Sequence, residues 1–235
     1  MSGTAFTYSA GGADCIGYLA LPEGDGPCPG VLVSPAFRGL SDMERGSCDR
    51  LAAMGYVALG VDYYSGGRET TERAEAAGWM AELQGNRPLL AARMQGALAA
   101  LTAQPRVAGQ KIGAVGYCLG GKSVLDLARS GAEFAAGVTF HGVYDAPPEG
   151  SQPMKAALLI CDGWDDSLCP PGAKVALAEE LTAHCPDWQM LAFGQTGHAF
   201  TNPAAAVGNG FGYSAAAERR SWAAMSGFFE EMLRG

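Results

Sequence analysis

The stretch KIGAVGYCLGG, residues 111–121, decides the fold. KIGAVGY is a continuous apolar run, the mark of a strand buried on both faces. Leu119 to Arg129 read as a helix, which makes GYCLGG, 116–121, the turn between strand and helix. Outward from this point the same alternation repeats. GVLVSP (30–35), YVALGVD (56–62), AAGVTFHG (135–142), AALLICDGW (156–164) and WQMLAFG (188–194) are further apolar runs of strand length. Helical patterns separate them. Ser41 and Glu44 form a capping-box pattern ahead of Cys48, Leu51 and Ala52, with Gly55 as the stop. Residues 70–102 are alanine-rich and helical in period, broken near Gly85-Asn86-Arg87-Pro88, with Leu90, Met94, Ala97 and Leu101 on one stripe. VALAEELTAHC aligns Val175, Ala178, Leu181 and Cys185, and a last helix aligns Trp222, Met225, Phe229 and Met232. Near the N-terminus two β-like runs flank Gly11-Gly12, which predicts a hairpin. Nearly all-apolar strands alternating with helices predict an α/β fold, a mostly parallel central sheet with helices on both faces.

Length and composition narrow the function. At 235 residues the chain exceeds the usual ~150 for one domain, yet α/β folds often run this long undivided. No linker, repeat or low-complexity segment interrupts it, so residues 1–235 are expected to form a single domain. A net charge of −8 opposes nucleic-acid binding, which needs a basic face. No apolar stretch approaches the ~18 residues of a membrane span, and MSGTAFTYSA lacks a signal-peptide pattern. The expectation is a cytoplasmic protein with no membrane or nucleic-acid partner, a monomer or small homo-oligomer acting on a small molecule. Seven evenly spread cysteines, an odd number, argue against a disulfide framework. Cys161, Cys169, His184 and Cys185 lack the spacing of a zinc site, and no phosphate-cradling loop or dinucleotide fingerprint stands out. No metal or cofactor is expected.

In parallel sheets, sites lie beyond the carboxyl ends of the strands. Cys118 stands directly after KIGAVGY, and Gly116 and Gly120 are spaced as in the G-x-S-x-G nucleophile elbow, with cysteine for serine. Small neighbours let strand and helix pass closely at a strained turn. The helix then points free N–H groups and its positive dipole end at the sulfur, favouring thiolate. A tight corner holding a buried cysteine would read the same way, so partners are required. His198, in GQTGHAF after the last strand, is the candidate base. His141 ends the strand AAGVTFHG and is expected to line the site, while His184 falls late in a helix. The loop of ICDGWDDSLCP offers Asp162, Asp165 and Asp166 between nucleophile and histidine. That chain order is the one found in α/β-hydrolases.

Across nearly its whole length the sequence resembles the dienelactone hydrolase family of α/β-hydrolases. The resemblance rests on GVLVSPAFRGL, YVALGVDYYSGG, GYCLGGK, VTFHGVY, GWDDSLCPP and GHAFTNP, of which GYCLGG and GHAF are the most specific. It implies a hydrolase of small carboxylic esters or lactones with a triad of Cys118, Asp166 and His198 and a covalent acyl-enzyme. Asp166 is the implied acid because the family's aspartate stands four residues before a proline, here Pro170. The oxyanion is expected at the backbone N–H groups of Leu119 and Ala36, since Pro35 has none to give. Arg38, Tyr64, His141, Tyr144 and Phe200 are the expected substrate-binding residues. The chain also departs from the family: the loop glutamate that helps control the thiol is replaced by Pro35 or Ala36, and Asn202 stands where a substrate-gripping arginine would be. A thioesterase or acyltransferase of the same fold, or a catalytically silent ligand-binding homologue, are the alternatives.

Overall fold

The computed structural model describes residues 2–107 and 109–235. The chain divides into two compact units, Met1–Val115 and Gly116–Gly235. In the first, β1 (Thr4–Ala10) and β2 (Ala13–Ala20) form the expected hairpin. Its turn is Gly11-Gly12, with φ of 52° and 75°, the left-handed geometry that matches the twist of paired strands. β2 pairs antiparallel with β4 (Val57–Gly60), which pairs in parallel with β3 (Gly30–Ser34). β3 and β4 are buried along their whole length, whereas β1 alternates, as an edge strand does. Helix α1 (Asp42–Ala53) starts at the Ser41–Glu44 capping box and packs on β2, β3 and β4. Helices α2 (Arg73–Gly85) and α3 (Arg87–Thr102) part at Asn86. The Asn86 side chain accepts the Leu89 N–H at 3.2 Å, so the break is also a cap. Leu90, Met94, Ala97 and Leu101 are buried as expected, with α3 against β1 and β3.

Strand β5 (Ile112–Tyr117) leads the chain into the second unit. There α4 (Leu119–Arg129), β6 (Ala136–Phe140), β7 (Ala157–Gly163), α5 (Pro171–His184), β8 (Trp188–Phe193) and α6 (Ala215–Arg234) follow. β6, β7 and β8 pair in parallel, and the register Phe140↔Cys161 and Gly163↔Phe193 brings their carboxyl ends level. Helix α4 packs on β6, and α6 on β6 and β7. The class is α/β with mostly parallel strands, as the sequence predicts.

Two helical faces differ from expectation. In α5 the buried residues are Lys174, Leu177 and Leu181, while Val175 is 57% exposed. The inward face is turned by about one residue because Lys174 ion-pairs with buried Asp162, a contact hydropathy cannot anticipate. In α6, Met225 and Phe229 are buried but Trp222 and Met232 are half-buried, because Phe228 and Leu233 share the core face. Among the described residues no helix is long and apolar enough to cross a membrane.

Candidate active site

The turn from β5 to α4 holds Cys118 at φ 54° and ψ −113°, a region that non-glycine residues enter only under strain. Glycines make the corner possible. A β-carbon on Gly116 would lie 2.1 Å from the Gly120 carbonyl oxygen, and one on Gly121 would lie 2.8 Å from Gly142 Cα. The Cys118 N–H donates to the Phe140 carbonyl at 3.1 Å, and the Cys118 carbonyl accepts the Lys122 N–H at 3.2 Å, opening the helix. Leu119 is the first helical residue, so its N–H has no helical carbonyl to meet. The positive end of α4 therefore faces the sulfur's side of the turn. Cys118 keeps 9% of its surface exposed.

His198 lies in the segment between β8 and α6. Its N–H donates to the Gly210 carbonyl at 2.6 Å and its carbonyl accepts the Gly212 N–H at 3.0 Å, which fixes the backbone. The side chain joins Nδ1 to Asp166 Oδ2 at 2.8 Å. Asp166 is held in turn: its Oδ1 accepts the N–H groups of Leu168 at 2.8 Å and Cys169 at 3.2 Å. With Nδ1 committed to the carboxylate, Nε2 is the nitrogen left for chemistry. It has no partner in regular hydrogen-bond geometry among the described residues, yet Cys118 is close enough to act on the ring. Resting active sites often hold such bonds long and poorly aligned. Burial works to lower the pKa of this imidazole, but hydrogen bonds to Asp166 and Cys118, with their charges, raise it to about 10.

Three further glycines interlock the acid and histidine loops, and motif spacing did not single them out. A β-carbon on Gly163 would meet the Thr196 carbonyl oxygen at 2.3 Å, and one on Gly197 the Gly210 carbonyl oxygen at 2.4 Å. One on Gly210, at φ 77°, would press on Ser167 Cβ at 2.7 Å. Backbone therefore touches backbone from β7 through the histidine loop to residue 210. The sequence signal was present only as a glycine in each of GWDD, QTGHAF and GNGFG.

The other candidates of this unit differ in surroundings. Of the three loop aspartates, Asp166 reaches His198, Asp165 is exposed and Asp162 is buried against Lys174. His141, at φ 42°, packs its ring 5.0 Å from that of His198 and 5.2 Å from Phe200. Its Nε2 meets Thr201 Oγ1 at 2.7 Å. Burial, then the neighbouring charge of His198, holds the His141 pKa well below the ordinary value, so this imidazole is neutral. Phe200 is fully buried, and Tyr144 is turned inward, its phenol pKa raised by burial and by the nearby Asp162 charge.

Ala36, Arg38 and Tyr64 belong to the first unit. There the Ala36 N–H donates to Glu44 Oε1 at 3.1 Å, and Tyr63 and Tyr64 hydroxyls donate to the carbonyls of Pro35, Ala36 and Phe37 at 2.6–2.8 Å. A carboxylate thus does reach this loop, from α1 rather than from the loop itself. Burial raises the Glu44 pKa against the hydrogen bonds from Ser41 and Ala36. Arg38 donates to the Thr71 carbonyl at 2.8 Å. Tyr64 borders a cleft of about 230 Å³ with Arg68, Trp79, Glu82, Asn86 and Arg93.

Comparison with known proteins bears on this geometry. The sequence profile of the Dienelactone hydrolase family matches residues 16–233. The solved structure of m3DLH is 36% identical, with a TM-score of 0.92 over 98% of each chain. The dienelactone hydrolase-like promiscuous phosphotriesterase P91, from metagenomic libraries, is also 36% identical, with a TM-score of 0.89 over 99% of this chain and 100% of its own. A probable 2-oxo-3-(5-oxofuran-2-ylidene)propanoate lactonase of Bradyrhizobium sp is 26% identical over 80% of both chains.

Proposed function

Since the chain belongs to the dienelactone hydrolase family, we propose that it hydrolyses small carboxylic esters or lactones through an acyl thioester on Cys118. The supporting observation is the His198 imidazole, bonded through Nδ1 to Asp166 and raised to a pKa of about 10 with Cys118 among the causes. Near neutral pH that ring is imidazolium. The Cys118 sulfur, as thiolate, adds to the carbonyl carbon, and the oxygen takes the negative charge beside the Leu119 N–H. Collapse breaks the ester bond, and the leaving alkoxide takes the Nε2 proton of His198. The neutral imidazole next removes a proton from water as the oxygen adds to the thioester. A second collapse frees the acid and restores thiolate and imidazolium. Asp166 orients the ring throughout and stabilises its positive form. The Ala36 N–H, the other donor expected from the sequence, is engaged by Glu44.

Incubation with p-nitrophenyl acetate tests this. Nitrophenol should be released, intact mass should show an acetyl group on Cys118, and Cys118→Ala should abolish both. Binding of acetate esters without turnover would favour a silent homologue, and faster cleavage of acyl thioesters than of oxoesters or lactones would favour a thioesterase. A second activity is favoured by the 36% identity to the phosphotriesterase P91. The same sulfur can add to phosphorus and expel an aryloxide, which takes the Nε2 proton of His198; water, deprotonated by the neutral imidazole, then adds to phosphorus and breaks the S–P bond, so slow turnover of paraoxon, lost in Cys118→Ala, is expected.

A further inference from the structure

Lys174 occupies a costly place. It lies in the first turn of α5, near the positive end of the helix dipole, and it is 3% exposed. A buried ammonium needs partners, and beside the Trp164 ring, 5.9 Å from its Nζ, it has two polar ones. Its Nζ ion-pairs with Asp162 Oδ2 at 2.9 Å, and it donates to the Cys169 carbonyl. Asp162 is fully buried near the end of β7, so one end of this contact is fixed to a parallel strand. Cys169 is the other end, and its N–H donates to Asp166 Oδ1 at 3.2 Å. Asp166 Oδ2 is the oxygen that holds His198. A continuous path of polar contacts therefore runs from β7 through Asp162, Lys174, Cys169 and Asp166 to His198.

We infer that Lys174, anchored by Asp162, is a positioning residue: it fixes the Cys169 main chain so that Asp166 keeps its aim at His198. The inference rests on the Cys118–Asp166–His198 reading above. A buried ion pair contributes little stability compared with apolar residues of the same size, so stability alone does not call for a lysine here. Direction does. An ammonium at this position pulls a carbonyl oxygen toward itself, and the Cys169 N–H is left pointing at the carboxylate. The charged and titratable groups around Asp162 are Lys174 from α5, Asp166 and Cys169 from the acid loop, Cys161 on its own strand and Tyr144 from the segment after β6.

The test is the double variant Asp162→Asn, Lys174→Met, which replaces the pair by neutral side chains of similar size and leaves the net charge unchanged. Neither group is among the charges that act directly on the His198 imidazole, which is titrated by NMR. Its midpoint should fall by about one unit or more from wild type, because the Asp166 contact that raises it is loosened. Turnover of p-nitrophenyl acetate should fall ~10–100-fold in kcat with KM nearly unchanged. An unmoved His198 midpoint in the folded double variant overturns the inference, since a lysine that merely fastened α5 would leave it untouched. The titration needs no turnover. A wild type without activity would sink the hydrolase reading and leave this measurement standing. Should the double variant fail to fold, Lys174→Arg keeps the ion pair while its planar head displaces the Cys169 contact. A lowered midpoint is expected there too, and an unchanged one is equally fatal.

Discussion

Burial alone would make the His198 imidazole a poor base, and the bonds to Asp166 and Cys118 reverse that. The sign of a substitution follows. Asp166→Asn removes a group that raises the pKa, so the imidazolium is lost at lower pH and the alkaline limb of kcat/KM should move toward neutrality. Activity at neutral pH should drop by ~10²–10⁴-fold, as when a triad loses its orienting acid. A rate profile that keeps the wild-type alkaline limb would show that Asp166 does not govern the histidine. At this scale, motif and chain order bring Cys118, Asp166 and His198 to attention, because strand ends, a glycine-framed turn and a family spacing mark them. Lys174 stays hidden, because a lysine in a helix reads as solvated and only the fold reveals the aspartate waiting for it. Glu44 stays half hidden: its capping box is legible, while its reach to the Ala36 N–H is not.

Among the elements, the acid and histidine loops are set by packing of bare backbone. Gly163, at the end of β7, leaves no room for a β-carbon against the Thr196 and Gly197 carbonyl oxygens, 2.3 and 2.7 Å from where it would sit. Gly163→Ala should cost about 2–4 kcal/mol in chemical denaturation, since rigid main chain rather than a side-chain tip must move. Turnover should fall ~10-fold or more in the protein that remains folded, since displaced loops misplace the imidazole. Wild-type stability in this variant would mean that the loops accommodate the methyl group easily. Strands were readable at this scale because both-face burial leaves them almost purely apolar. The core face of α5 was misplaced for the converse reason: period-based reading ranks Val175 above Lys174, and charge pairing reverses the ranking.

For the whole molecule, linked protonation shapes stability. The folded His198 pKa lies above the unfolded value of 6.5, so the stability it contributes is complete below that pH and is lost as pH rises through about 10. Asp162 also has a raised pKa, about 6 against 3.8, because burial outweighs the pull of Lys174. A raised carboxylate contributes most at low pH and loses that contribution as pH climbs through about 6. Thermal unfolding should show the first effect directly: between neutral and strongly alkaline pH, wild type should lose roughly 2–6 °C more than His198→Asn. Parallel curves would deny the linkage. Every side chain assigned a step in the proposed reaction, together with Lys174 and the interlocking glycines, lies within Gly116–Gly235. A chimera joined at residue 115/116 would therefore take all of these side chains from a single parent, so its thiol chemistry should follow the parent that donates Gly116–Gly235.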